Sequence, residues 1–81
     1  QGDEGIKIVL SQEVTFLNKA KILEKLSEIP HNSKVIIDGS ESVFIDYDVL
    51  EIIHDFKKNE RNKGLQVELI GIKDVYRVSA H

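Results

Sequence analysis

Hydrophobic positions along the chain switch between a two-residue repeat and a repeat of three to four, and the switches mark out its elements. Gly5-Ile6-Lys7-Ile8-Val9-Leu10-Ser11 is β-branched and nearly alternating, which predicts a strand. After Gln12-Glu13 a second extended run, Val14-Thr15-Phe16, predicts another strand joined to the first by a tight turn. From Asn18 the period lengthens. Ile22, Leu26 and Ile29 recur at i, i+4 and i+7, Leu23 widens the stripe, and Lys19, Lys21, Glu24, Lys25 and Glu28 lie opposite, which is the pattern of an amphipathic helix. Asn18 is the expected N-cap, Leu17 the expected staple onto Ile22, and Pro30 the stop.

Ser33-Lys34-Val35-Ile36-Ile37-Asp38 predicts a strand whose consecutive β-branched residues require burial on both faces, the habit of an inner strand in a helix-covered sheet. A polar turn, Gly39-Ser40-Glu41-Ser42, leads through Val43-Phe44-Ile45 to a second helix. There Asp48 is the expected cap with Glu51 three residues on, and Val49, Ile52, Ile53 and Phe56 form the apolar stripe. Lys57, Lys58, Arg61 and Lys63 suit the negative end of that helix, and Gly64 is a natural C′ residue. Leu65-Gln66-Val67-Glu68-Leu69-Ile70-Gly71-Ile72 predicts a further strand, after which Asp74 caps a short or truncated last helix through Val75, Tyr76 and Val78. The expected order is β-β-α-β-α-β-α: an α/β fold with a mixed, mostly parallel four-stranded sheet, in which the first hairpin supplies an antiparallel edge.

Composition narrows the class. Eighty-one residues make one domain, and a chain of this size buries only roughly 60% of the surface it exposes when unfolded. Hydrophobic residues at 41% and charged ones at 31% are ordinary for a globular protein. A formal net charge of −3 offers no footprint for a nucleic-acid backbone. Without cysteine there is neither a disulfide framework nor a thiolate site. No apolar run approaches the roughly 20 residues that span a bilayer, so this segment is not expected to insert into a membrane. Gln1-Gly2 reads as the remnant of a cleaved tag, residues 1–4 as a tag remnant or disordered start, and the domain as residues 5–81.

Candidate chemistry is sparse. Asp38, Asp46 and Asp48 fall at strand ends and a helix start, an edge where α/β sheets bind ligands and where clustered oxygens hold Mg²⁺. A glycine-rich phosphate loop is missing, however, and no Lys or Arg adjoins these carboxylates in sequence, so turn and cap duty explains all three. His31, His54 and His81 match no zinc spacing, and Ser11, Ser27, Ser33, Ser40, Ser42 and Ser79 lack a nucleophile-elbow context. No catalytic residue, metal or cofactor is expected. Tyr47, between two carboxylates just before a helix, is either a staple toward Ile52 or an exposed contact residue.

Three stretches, in order, resemble the STAS domain shared by the tails of sulfate-transporter (SulP) permeases and by bacterial anti-sigma-factor antagonists, across residues 5–78. Val14-Thr15-Phe16-Leu17-Asn18-Lys19-Ala20 looks like the permease-tail segment in which a short strand ending in Phe meets an Asn-x-Ala helix start. Val35-Ile36-Ile37-Asp38-Gly39-Ser40 looks like the family's apolar strand ending in Asp, and Phe44-Ile45-Asp46-Tyr47-Asp48-Val49-Leu50 like its signature loop. Antagonists carry Asp-Ser-Ser-Gly in that loop, and the second serine accepts phosphate. Here Asp48 stands at the acceptor position, so no phosphorylation is expected there.

The resemblance therefore implies a non-enzymatic regulatory module of an anion permease. It would lie on the cytoplasmic side of the membrane and contact the permease's transmembrane part and a cytosolic protein. Asp38, Ser40, Asp46, Tyr47, Asp48 and Val49 are the implied contact residues. The charge run Lys57–Lys63 either serves the helix end or docks on headgroups or on the permease. Two alternatives stay open: a free-standing anti-sigma-factor antagonist, and a small domain binding Mg²⁺ and nucleotide through Asp38, Asp46 and Asp48.

Overall fold

The computed structural model describes residues 5–73. Five strands and two α-helices follow one another as β1 (Ile6–Val9), β2 (Glu13–Val14), α1 (Lys19–Ser27), β3 (Lys34–Asp38), β4 (Phe44–Ile45), α2 (Tyr47–Lys58) and β5 (Gln66–Ile70). Single 3₁₀ turns at Phe16–Asn18 and Glu60–Lys63 precede α1 and follow α2. The last helix expected from Asp74 onward lies outside the described residues.

β3 is the inner strand, as expected, but only one of its faces is fully buried: Ile36, flanked by the exposed Lys7 and Glu68, is half-buried. The main sheet has the order β1-β3-β5 and is parallel throughout, with Ile6 opposite Val35 and Val35 opposite Val67. Ile6, Val35 and Val67, followed by Ile8, Ile37 and Leu69, share one face of this sheet. Val35 and Ile37 are fully buried there, in one core with Leu26 and Ile29 from α1 and its C-terminal side and with Val49 and Ile53 from α2.

The expected antiparallel hairpin does not form. β1 joins β3, whereas β2 leaves the main sheet and pairs in parallel with β4, with Glu13 opposite Phe44 and Val14 opposite Ile45. The divergence begins at Leu10. Its N–H still donates to the Asp38 carbonyl (2.9 Å), extending the β1–β3 ladder, while its side chain enters the core directly after the exposed Val9. The next residues then feed a different partner: the Gln12 carbonyl accepts the N–H groups of Val43 (2.7 Å) and Phe44 (3.2 Å), and the Val14 carbonyl accepts that of Asp46 (2.8 Å). β2 and β4 thus form a short ribbon of their own. An alternating pattern fixes the period of a strand but not the direction of its neighbour.

Helix starts also differ from expectation. Asn18 makes no side-chain cap on α1. Thr15 opens the preceding 3₁₀ turn instead, its hydroxyl accepting the Leu17 N–H (3.2 Å) while Asn18 Oδ1 accepts the Thr15 N–H (2.8 Å) in a reciprocal box. Leu17 is 77% exposed, so it staples nothing. At the other end of α2, Glu60 receives both the Val67 N–H (2.7 Å) and Lys57 Nζ (3.1 Å), and Lys57 also reaches the Val67 carbonyl (2.7 Å). This clasp ties the helix end to β5. It places Lys57 in a structural role, and Gly64 closes the turn in the left-handed conformation expected of it (φ 68°).

Candidate functional site

The C-terminal ends of β3 and β5, the β2–β4 ribbon and the start of α2 meet at one end of the molecule. Two glycines permit the approach. The Gly39 N–H donates to the Ile70 carbonyl (2.7 Å), and Gly71, in the left-handed region at φ 65°, lies so close that a Cβ there would stand 2.8 Å from Ser40 Cα. The loop from Gly39 is thereby held against the end of β5.

Asp38 closes β3. Its Oδ1 accepts the Ser40 N–H (2.9 Å), and Lys7 Nζ from β1 lies 3.8 Å from Oδ2. The Ser40 hydroxyl and N–H, aided by Lys7 and opposed by partial burial, hold the Asp38 carboxyl below its usual value. Ser40 is exposed on the loop surface. Ser42, two residues on, donates its hydroxyl to the Ser11 carbonyl (2.6 Å), pinning the loop to the segment between β1 and β2.

The cap of α2 is Asp46, not Asp48. Asp46 has extended backbone angles (φ −57°, ψ 144°) and its Oδ2 accepts the Asp48 N–H (2.9 Å). Pairing of Phe44-Ile45 in β4 fixes the chain as extended up to this residue, so the helix begins at Tyr47, and Asp48 falls inside the first turn. Its carboxylate points outward, 56% exposed, with Lys19 Nζ of α1 at 3.8 Å. Tyr47 is 47% exposed, so it is not buried as a staple. Val49 is fully buried in the core and is corrected from contact residue to packing residue.

The three aspartates therefore have separate duties: Asp38 closes a turn beside Lys7, Asp46 caps α2, and Asp48 pairs with Lys19. Among the described residues, no three His, Asp or Glu side chains converge in a group suited to a metal ion. His54, on α2, is half-buried with Nε2 2.7 Å from the Lys73 carbonyl.

What single residues did not reveal is an apolar surface. Seven large apolar side chains are exposed among the described residues, and five of them, Phe16, Leu17, Val43, Phe44 and Tyr47, come from the ribbon and the segments flanking it. Parallel pairing of Val14 with Ile45, the Asp46-to-Val14 hydrogen bond and the Lys19–Asp48 ion pair hold those segments side by side. Leu17 was visible in the sequence as hydrophobic, but its staple assignment placed it inward, and Phe44 was read only as part of the lead into the second helix.

Compared with known families, the STAS domain matches residues 1–80 of the chain. The chain belongs to the STAS family. No curated protein and no solved structure matches it significantly. STAS domains are generally regulatory modules without catalysis of their own; here the residues that resemble the family's loop form a turn and a helix cap beside an exposed apolar ribbon. No described helix is long and apolar enough to cross a membrane.

Proposed function

We propose that this STAS domain is the regulatory, non-enzymatic tail module of a SulP-type permease for sulfate or a related inorganic anion. It would act at the cytoplasmic face by contact with the permease's transmembrane part and with a cytosolic protein. The observation that carries the reading is Asp48. The position that resembles the phospho-acceptor holds an exposed carboxylate already paired with Lys19, so the serine-kinase switch of the antagonists has no acceptor there. The permease-like Phe16-Leu17-Asn18-Lys19-Ala20 start, exposed at Phe16 and Leu17, points the same way.

The test has two parts. The native reading frame is read for hydrophobic spans upstream of this domain. Anion uptake by the full-length protein is then measured with Leu17→Ser and Phe44→Ser. A changed uptake rate at unchanged abundance is expected. A frame without such spans defeats the permease reading, and phosphate on Ser40 or Ser42 after incubation with a cognate kinase would favour the free-standing antagonist instead.

A further inference from the structure

The apolar surface at the β2–β4 ribbon lies in the acidic part of the molecule. From Val35 to Phe56 the chain carries six carboxylates, Asp38, Glu41, Asp46, Asp48, Glu51 and Asp55, and no lysine or arginine. Glu13 adds another, because its register with Phe44 and their shared exposure place both on the outer face of the ribbon. Of the cations nearby, Lys7 is paired with Asp38 and Lys19 with Asp48, Lys73 borders the hollow formed by Ser42, Val43 and Phe44, and Lys21 and Lys25 border a separate hollow with Ser11, Val14 and Asn18. Opposite charges gather at the far end of α2, in Lys57, Lys58, Arg61 and Lys63.

Exposed apolar groups this closely grouped mark contact surfaces, and a rim of one sign selects partners of the other. We propose that Phe16, Leu17, Val43, Phe44 and Tyr47 receive a basic, amphipathic segment of a partner protein, with Glu13, Glu41 and Asp48 meeting its lysines or arginines. The proposal rests on the reading of this end as a contact surface, and is independent of the permease assignment. An amphipathic helix suits it, because such a segment presents apolar anchors at i, i+3, i+4 and i+7 with cations along their flanks.

The probe is a synthetic peptide of roughly 18 residues, five helical turns, with leucines at that spacing and lysines elsewhere. Its counterpart has every lysine replaced by glutamate. Binding to the ¹⁵N-labelled domain is followed by amide shifts. The lysine peptide is expected to shift residues 13–19 and 41–51, and Leu17→Ser or Phe44→Ser to weaken it about tenfold each. The double variant Glu13→Lys/Glu41→Lys is expected to weaken it further at low salt and to reduce its salt dependence. All four positions are exposed, so these variants should fold as the parent does.

Equal binding of the glutamate peptide would overturn the charge argument. Shifts confined to residues 57–63 would overturn the location. Two other results would assign a different occupant and so defeat the proposal: concentration-dependent shifts at Phe16 and Phe44 without peptide, meaning a second copy, or contacts from Tyr76 to Phe44 in the free chain, meaning its own C-terminal residues. The regulatory reading fails separately, if Leu17→Ser and Phe44→Ser leave uptake by the full-length protein unchanged.

Discussion

Asp46 and Asp48 stand two residues apart at the start of α2, and the structure gives them different work that substitution can separate. Asp46 supplies the N-cap, accepting the Asp48 N–H at 2.9 Å. Replacing it with alanine leaves that donor without its partner at a helix end, which costs about 1 kcal/mol, within a range of roughly 0.5–2. Asparagine caps about as well as aspartate, so Asp46→Asn should lose only a few tenths of a kcal/mol, the part due to charge near the helix N-terminus. Asp48 contributes differently. Its ion pair with Lys19 is more than two-fifths exposed on both sides, worth about 0–1 kcal/mol, and its charge near the helix N-terminus adds roughly 0.3–1.

Urea unfolding followed by circular dichroism resolves these cases. With a slope of about 1 kcal/mol per molar, Asp46→Ala should lower the midpoint by roughly 1 M. Asp48→Ala and Asp48→Asn should also lower it, but that loss should fade in roughly 1 M salt, where the screening length is about 3 Å. The loss at Asp46→Ala should persist in salt, because it is a hydrogen bond to the backbone. If Asp48→Ala costs more than Asp46→Ala and does so at every salt concentration, or if Asp46→Asn is as damaging as Asp46→Ala, the assignment of the cap is wrong.

Further outcomes follow from the packing. Gly71→Ala should destabilise by about 1.5 kcal/mol or more in the same assay, since alanine at φ 65° costs roughly 1–2 kcal/mol and its Cβ would press on Ser40; an unchanged midpoint would show that the β5 end is not held against Gly39-Ser40. Ile53→Ala, at a side chain only 1% exposed, should cost about 2–5 kcal/mol, whereas Leu17→Ala should stay within roughly 0.5. Glu60 is held below its ordinary value of 4.5, first by the Val67 N–H and then by Lys57. A lowered folded value means that its contribution is complete above about 4.5 and is lost as pH falls through the lower one. Glu60→Gln should therefore be less stable than the parent at neutral pH, with the gap closing below 4.5 in acid titrations of unfolding; a gap constant with pH would remove the clasp as its cause.

Much of this fold was legible because its strongest signals are redundant. α2 is marked by an apolar stripe, acidic residues at its start, basic ones at its end and Gly64 beyond, so even a misplaced cap moved its boundary by little. β3 was legible as the inner strand because Val35-Ile36-Ile37 is a continuous β-branched run, although only its Val35/Ile37 face is fully buried. β2 was not, since two residues in a ladder carry no pattern of their own, and Val14-Thr15-Phe16 reads equally well as the return arm of a hairpin. The same ambiguity hid the apolar surface: Phe16 and Leu17 belong to a 3₁₀ turn whose cap, Thr15 with Asn18, resembles nothing distinctive in sequence. At the site, Asp38, Asp46 and Asp48 were recognisable as turn and cap residues, but which of the last two capped depended on where β4 ended. Val49 was grouped with contact residues through the loop it follows, although its place in the apolar stripe of α2 already required burial.

The acidic end of the molecule also bears on how a module of this kind regulates. A phosphorylated serine adds about −1.5 to −2 charge where none stood before, and that change is what releases or recruits a partner. Asp48 supplies one negative charge continuously, and Lys19 at 3.8 Å partly answers it within the domain. The helix start is held by Asp46 whatever happens at Asp48, so changing the outer carboxylate should leave the local fold in place. On the docking proposal, regulation would then lie in occupancy: whether a basic partner segment covers the ribbon, and how strongly salt weakens its hold on the acidic rim.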